Sequence, residues 1–139
     1  IYAGAIYRYD LVNETSEFYT IEEIFPSDIY DIGDDFLAIS HESITIDKLG
    51  FTIFNYETLQ SEFVDISPYA ISENERIVDI KRLDLNHLLL LTENQLIVYD
   101  IQKGIITLQL KCDDTLGTVF HIWINKNPIN FKPERKKYV

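Results

Sequence analysis

The chain is expected to be all-β, an antiparallel fold assembled from a repeated unit, and three observations carry that expectation. First, Leu88 to Leu110 resolves into three strand-length runs, Leu88–Leu91, Gln95–Asp100 and Ile105–Leu110, parted by the polar Thr92-Glu93-Asn94 and by Gln102-Lys103-Gly104. Such short runs bounded by turn residues do not suit a helix, and the Leu-Ile-Val-Tyr core of the middle run is β-branched and aromatic, as a buried pleated surface favours. Second, an aromatic, a short acid or amide, and an apolar residue recur as Tyr9-Asp10-Leu11, Phe54-Asn55-Tyr56 and Tyr99-Asp100-Ile101, 45 residues apart, and the same interval links Phe18, Phe63 and Leu108. A period of that size is the mark of a repeat architecture. Third, 139 residues with 46% hydrophobic and 13% aromatic content, 5 Gly and 4 Pro are enough for a core and too ordered a composition for a linker.

Taken in order, Ala5–Leu11 is read as the third strand of an incomplete first unit, with Tyr7 and Tyr9 on one face and Ile6 and Arg8 on the other. Asn13 to Ser16 makes the turn and Phe18–Ile21 the outer strand, after which Pro26 and Ser27 break the pattern. Ile29–Ile32 opens the next unit, and Gly33-Asp34-Asp35 turns the chain into Phe36–Ser40. An insertion from His41 to Gly50 follows, in which Ile44-Thr45-Ile46 lengthens a strand and Gly50 marks a bulge. Phe51–Tyr56 and Phe63–Ile66 finish that unit. A connection through Ser67-Pro68-Tyr69 and the polar Ser72 to Arg76 leads to the strand Ile77–Ile80, the turn Lys81 to Asn86, and the three strands already named. Gly104 is placed to take the positive φ of a tight turn. Val119–Ile124 reads as the first strand of a further unit, and Pro128 and Pro133 mark a linker.

The three aromatic–Asx–apolar steps, each followed by a turn, resemble the WD40 family of β-propellers, in which every repeat is a four-stranded blade and a Trp-Asp pair closes the third strand. Tyr9, Phe54 and Tyr99 stand where that family has Trp, and Asn55 replaces one Asp. The same pattern leaves room for a citron-homology or quinone-enzyme propeller. The resemblance implies antiparallel four-stranded blades of a β-propeller. Residues 1–124 would hold the end of one blade, two full blades and the start of another, and 125–139 would be a basic linker or tail. Closing a ring takes about four to eight blades, so the expectation is an incomplete array whose open strand edges are covered by other subunits or by the rest of the same protein. With no Met and Ile1 at its start, the sequence is expected to be a processed or excerpted piece.

The net charge of −11 argues against a nucleic-acid groove. Residues 1–125 hold 22 acids against 7 bases, whereas Lys126, Lys132, Arg135, Lys136 and Lys137 face only Glu134 at the end. That end reads first as a solvated tail and second as a docking arm or import signal. Cys112 is the single cysteine, which points to an intracellular protein, cytoplasmic or nuclear, and no run of about 18 apolar residues suggests a membrane helix.

Signals for chemistry are poor. Asp28, Asp31, Asp34 and Asp35 lack the residue order of a calcium loop, so no metal and no cofactor are expected. His41 with Glu42 and Asp47 has no nucleophile at a meaningful spacing. His87 and His121 read as hydrogen-bonded structural histidines. Trp123, Lys132, Arg135, Lys136 and Lys137 are the candidate partner contacts, while Tyr9, Asp10, Phe54, Asn55, Tyr99 and Asp100 are the structural signature. The favoured function is a noncatalytic protein–protein interaction scaffold. Its alternatives are a substrate-recognition adaptor of a ubiquitin ligase, which would draw a basic pocket from Arg8, Arg76, Lys81 and Arg82, and a propeller enzyme, either a hydrolase or a quinone-dependent oxidoreductase.

Overall fold

The computed structural model describes residues 3–22, 25–41, 48–111, 118–121 and 134–137, the last two segments as backbone. Its strands are β1 Ala3–Asp10, β2 Thr15–Glu22, β3 Pro26–Gly33, β4 Phe36–His41, β5 Gly50–Asn55, β6 Gln60–Asp65, β7 Ile77–Arg82, β8 His87–Thr92, β9 Gln95–Asp100, β10 Ile105–Lys111, β11 Thr118–His121 and β12 Glu134–Lys137. All pairing is antiparallel between chain neighbours. β1–β2 and β11–β12 form hairpins, and β3 to β6 and β7 to β10 form two four-stranded meanders.

The 45-residue period lies in the β1–β2 hairpin and in the third and fourth strands of the two meanders. β1, β5 and β9 end at Asp10, Asn55 and Asp100, and their partners begin at Thr15, Gln60 and Ile105. The turn between them is one device used three times. Asp10 Oδ1 accepts the backbone N–H groups of Val12 (2.9 Å) and Asn13 (3.1 Å), Asn55 Oδ1 those of Glu57 (2.9 Å) and Thr58 (3.0 Å), and Asp100 Oδ1 that of Lys103 (2.9 Å). A short side-chain acceptor satisfies turn donors that would otherwise face only water, which is why the position needs Asp or Asn. The last turn residue takes positive φ each time: 53° at Glu14, 62° at Leu59 and 68° at Gly104.

The first and second strands keep a different interval. Pro26 pairs with His41 and Ile77 with Thr92, positions 51 apart, and both strands shift register immediately afterwards. The extra six residues lie in the β4–β5 connection, whose residues 42–47, including Ile44-Thr45-Ile46, fall outside the described residues. Gly50 is no bulge, because the β5–β6 register runs unbroken from its pairing with Asp65. It is glycine because a Cβ there would lie 2.4 Å from the Val64 carbonyl oxygen and 2.5 Å from Phe63 Cζ.

Three further expectations change. Pro26 opens β3 rather than breaking the chain before it, as an edge strand allows. Thr15 and Ser16 already belong to β2, so the first turn is 11–14. Leu108 is not on the face that Phe18 and Phe63 share. A register shift between Ile106 and Leu108 leaves Thr107 as the extra residue and sends Leu108 to the opposite side. In the basic segment, residues 134–137 form β12 against β11.

The sheets stack face on face. Ala38, Phe51, Val64 and Ile32 of the first meander pack on Ile80, Leu88, Leu90, Ile97 and Tyr99 of the second, with the Phe51 and Tyr99 rings edge-on at 5.6 Å and 85°. On its other side the first meander buries Ile39 and Phe54 against Ile6 and Ile21 of the β1–β2 hairpin. The far side of the second meander buries Leu89, Leu96 and Val98. Central strand β9 is thus buried at all six positions, which explains its near-continuous apolar run. The two meanders come closest along β7, which lies against β3 and β4. There Tyr30 donates its hydroxyl to the Val78 carbonyl at 3.0 Å.

Candidate functional site

Because the repeat puts equivalent residues on equivalent faces, what covers each of them can be compared directly. Phe54 is 2% exposed and Tyr99 7%, each buried by the sheet that precedes it in the stack. Their counterpart Tyr9 is 51% exposed. Thr52 and Ile97 are fully buried, yet their counterpart Tyr7 is 68% exposed. Phe63 is half-buried where Phe18 is 66% exposed. Tyr7 and Phe18 sit directly opposite each other across the hairpin, so the three aromatics form one patch, extended at the tip by the exposed Leu11 and Val12. These exposed apolar side chains form the candidate site considered below.

Asp10 and Glu14 lie at the turn end of the hairpin, while Arg8 and Glu17 sit opposite each other on the covered face, the Arg8 guanidinium 5.6 Å from the centre of the Tyr56 ring. The N–H groups of Asn13 and Val12, with the Asn13 side chain, hold the Asp10 carboxyl below the usual carboxylate range. Asp10 therefore stays ionised beside the patch at neutral pH.

The other candidate cations do not gather into a pocket. Arg76 pairs with Glu93 at 3.1 Å, and Lys81 is exposed on β7. Arg82 is spent on the joint between the two meanders: Nη1 donates to the Ile32 carbonyl (2.6 Å), Nε to Asp84 O (2.9 Å) and Nη2 to Leu85 O (3.1 Å), while Nη2 also meets Asp34 Oδ2 at 2.9 Å. A cavity of about 210 Å³ beside it is lined by Ile32, Phe36, Ile53, Leu85 and Ile101. With all three guanidinium nitrogens engaged and the Asp34 carboxylate beside them, that cavity offers an incoming anion little to bind.

Two of the acids singled out from the sequence have structural duties. Asp31 Oδ1 accepts the Gly33 N–H at 2.9 Å, and Asp34 pairs with Arg82. His87, at the start of β8, is held at Nδ1 by Asp84 (2.8 Å), and its Nε2 lies 3.6 Å from Asp100, so this histidine is the structural group expected of it. Burial pushes the Asp84 carboxyl up, but the Asn86 N–H and the His87 ring and N–H outweigh that and leave it lowered. His41 is buried with its ring 5.5 Å from that of Phe63, and Glu42 and Asp47 lie outside the described residues. So do Trp123, Lys126, Lys132 and Cys112, while His121 is in β11 and Arg135, Lys136 and Lys137 are in β12.

One group escaped sequence reasoning altogether. Glu75, read as part of a polar connection, is buried, and its carboxylate accepts the N–H groups of Ile71 (2.7 Å) and Ser72 (3.4 Å), the Thr92 hydroxyl (2.5 Å) and the Gln95 side-chain amide (2.9 Å). The network continues from Gln95 to Gln109 and to the Tyr69 carbonyl, tying the inter-sheet connection onto the second meander. Four donors to one carboxylate make its burial tolerable. Nothing in the spacing of Ser72 to Arg76 signals this, because the side-chain partners, Thr92 and Gln95, are 17 and 20 residues away.

Among the described residues no helix is long and apolar enough to cross a membrane. Compared with family models, curated proteins and solved structures, the chain matches none.

Proposed function

We propose that this chain is part of a noncatalytic protein–protein interaction scaffold, a WD40-like propeller array that other subunits or the rest of the same protein continue. The observation that carries the reading is the unequal fate of equivalent residues: the face bearing Phe54 and the face bearing Tyr99 are each covered by a preceding sheet, and the face bearing Tyr7, Tyr9 and Phe18 is not. Two features support it. The sheets are consecutive antiparallel meanders stacked face to face, and they approach most closely at their first strands, as radially arranged blades do. An intracellular setting, cytoplasmic or nuclear, goes with this role.

The test is to express the tagged chain in cells as wild type and as the double variant Tyr7→Lys, Phe18→Lys, and to quantify what co-purifies. The lysines sit on an already exposed face but directly opposite each other, so the unfolding free energy should fall by no more than about 1–2 kcal/mol, and the variant is checked to be folded by circular dichroism. Loss of the associated proteins is the expected outcome. Associates retained at wild-type levels by a folded variant would overturn the reading.

A further inference from the structure

The stack has two joints, hairpin on first meander and first meander on second, and both are built from the same repeat positions. In the first joint Arg8 stands opposite Glu17 across the hairpin, its guanidinium 5.6 Å from the centre of the Tyr56 ring, and the Tyr19 hydroxyl donates to Glu17 Oε2 at 2.5 Å. Forty-five residues on, Ile53 stands for Arg8, Glu62 for Glu17, Val64 for Tyr19 and Ile101 for Tyr56. Ile53 pairs with Glu62 in the same register. The second joint therefore keeps the acid but replaces its cation, its hydroxyl and the ring over them by smaller apolar groups. That replacement leaves space. A cavity of about 450 Å³ has Phe36, Ile53, Asn55, Thr58, Gln60 and Glu62 in its walls, and it meets the smaller cavity beside Arg82 at Phe36 and Ile53. Phe36 presents an exposed ring there. Burial, and after it the charge of Glu62, raises the Tyr99 hydroxyl above its usual range, so this carboxylate acts on the interior of the joint. Among the described residues no side chain forms an ion pair with Glu62.

We propose that this cavity binds a guanidinium group carried on an apolar stem, the chemistry that Arg8 supplies at the first joint. The charge meets the Glu62 carboxylate, and the stem lies along Ile53 and Phe36, whose ring offers the cation a π face. An anion is repelled by Glu62 and by Asp34 in the adjoining cavity, and a neutral ligand leaves the acid without its partner. Two sources carry such a group: a guanidino compound or arginine from outside the chain, and the chain's own Arg135. The other three arginines of the sequence are held elsewhere, Arg8 on Tyr56, Arg76 with Glu93 and Arg82 between the meanders. The inference needs the repeat alone. Neither the edge of β1 nor its uncovered face enters it, so it stands or falls apart from the array reading.

The experiment is an NMR titration of the 139-residue chain with N-acetylarginine methylamide, the neutral citrulline analogue serving as the control for shape. The arginine probe should give saturable shifts in the amides of residues 53 and 58–62. Binding should be at least about tenfold weaker in Glu62→Gln, the loss of one charged hydrogen bond. It should be unchanged in Glu57→Gln, whose carboxylate is on the turn and outside the cavity wall. Glu62 and Glu57 are both exposed, so both variants should fold, and the amides remote from the cavity report that directly. Binding that appears only in the Arg135→Gln background supports the site and assigns its occupant to the chain's own arginine. No saturable shift in either background, equal shifts with the citrulline probe, or wild-type binding by Glu62→Gln would each overturn the proposal.

Discussion

Three substitutions at one repeat position separate what the repeat dictates from what the stack supplies. Tyr9, Phe54 and Tyr99 are each the penultimate residue of their strand, all precede a capping Asx residue, and differ chiefly in what lies over the ring. Replacing the buried Phe54 by Ala removes a ring packed between Ile6, Ile21 and Ile39 and within 5.8 Å of the Tyr19 ring, at a cost of about 3–5 kcal/mol. Tyr99→Ala should fall in the same range of about 3–5 kcal/mol, since it also removes the edge-on contact with Phe51. Tyr9→Ala takes away a ring already half in water and should cost less than about 1 kcal/mol. Urea denaturation of the three variants followed by circular dichroism, with the slope checked to be constant, gives the numbers directly. If Tyr9→Ala costs more than half of what Phe54→Ala costs in the isolated chain, the ring is covered there, and the argument for an open face fails.

Other outcomes follow from the same geometry. Gly50→Ala forces a methyl onto the Val64 carbonyl and the Phe63 ring and should destabilise by roughly 2–3 kcal/mol, read as a lower urea midpoint. Arg82→Met keeps the aliphatic stem but loses the bonds to Ile32, Asp84 and Leu85, and should cost about 2–4 kcal/mol, while Arg8→Met, whose guanidinium makes only exposed contacts with the Tyr56 ring and Tyr19, costs under about 1. Asp10, Asp65 and Asp84 have folded carboxyl pKa values below their unfolded ones, so each contributes stability above about pH 4 that is lost as pH falls through its folded value. The urea midpoint should accordingly be flat from neutrality to about pH 5 and fall below pH 4, and Asp84→Asn should reduce that fall.

The strands were legible because the signals that set them are local. Period-2 patterning and turn residues placed β8, β9 and β10 within a residue or two, and the aromatic–Asx step located the ends of β1, β5 and β9. Gly104 took the predicted positive φ for the same reason. What the sequence hid depends on distant partners. Gly50 is set by Phe63 and Val64 on the neighbouring strand, Arg82 by a carbonyl fifty residues away, and Glu75 by Thr92 and Gln95, none of which leaves a periodic trace. Leu108 shows how one extra residue defeats a correct interval: its spacing from Phe63 holds, yet Thr107 turns it to the other face. The exposed patch was half legible. Alternation put Tyr7 and Tyr9 on one face, but only the stack reveals that this face, unlike its two counterparts, is not covered by any of the described residues.

The two intervals, 45 and 51, say which half of each unit is the more self-sufficient. Third and fourth strands are joined by a turn whose donors are satisfied within the turn, by Asp10, Asn55 or Asp100, so the hairpin's geometry is specified by residues it contains. Its partner strands reach it through a connection that is long in one meander and two residues in the other, and their position is set by packing instead. A hairpin that carries its own turn chemistry can hold its shape with one face buried, and β1–β2, buried through Ile6 and Ile21, is such a hairpin. The same chemistry uses part of the chain's acidity: Asp10, Asp31, Asp65, Asp84 and Asp100 each accept a backbone N–H two or three residues on, so five of its 23 acids are turn fittings rather than a site for cations.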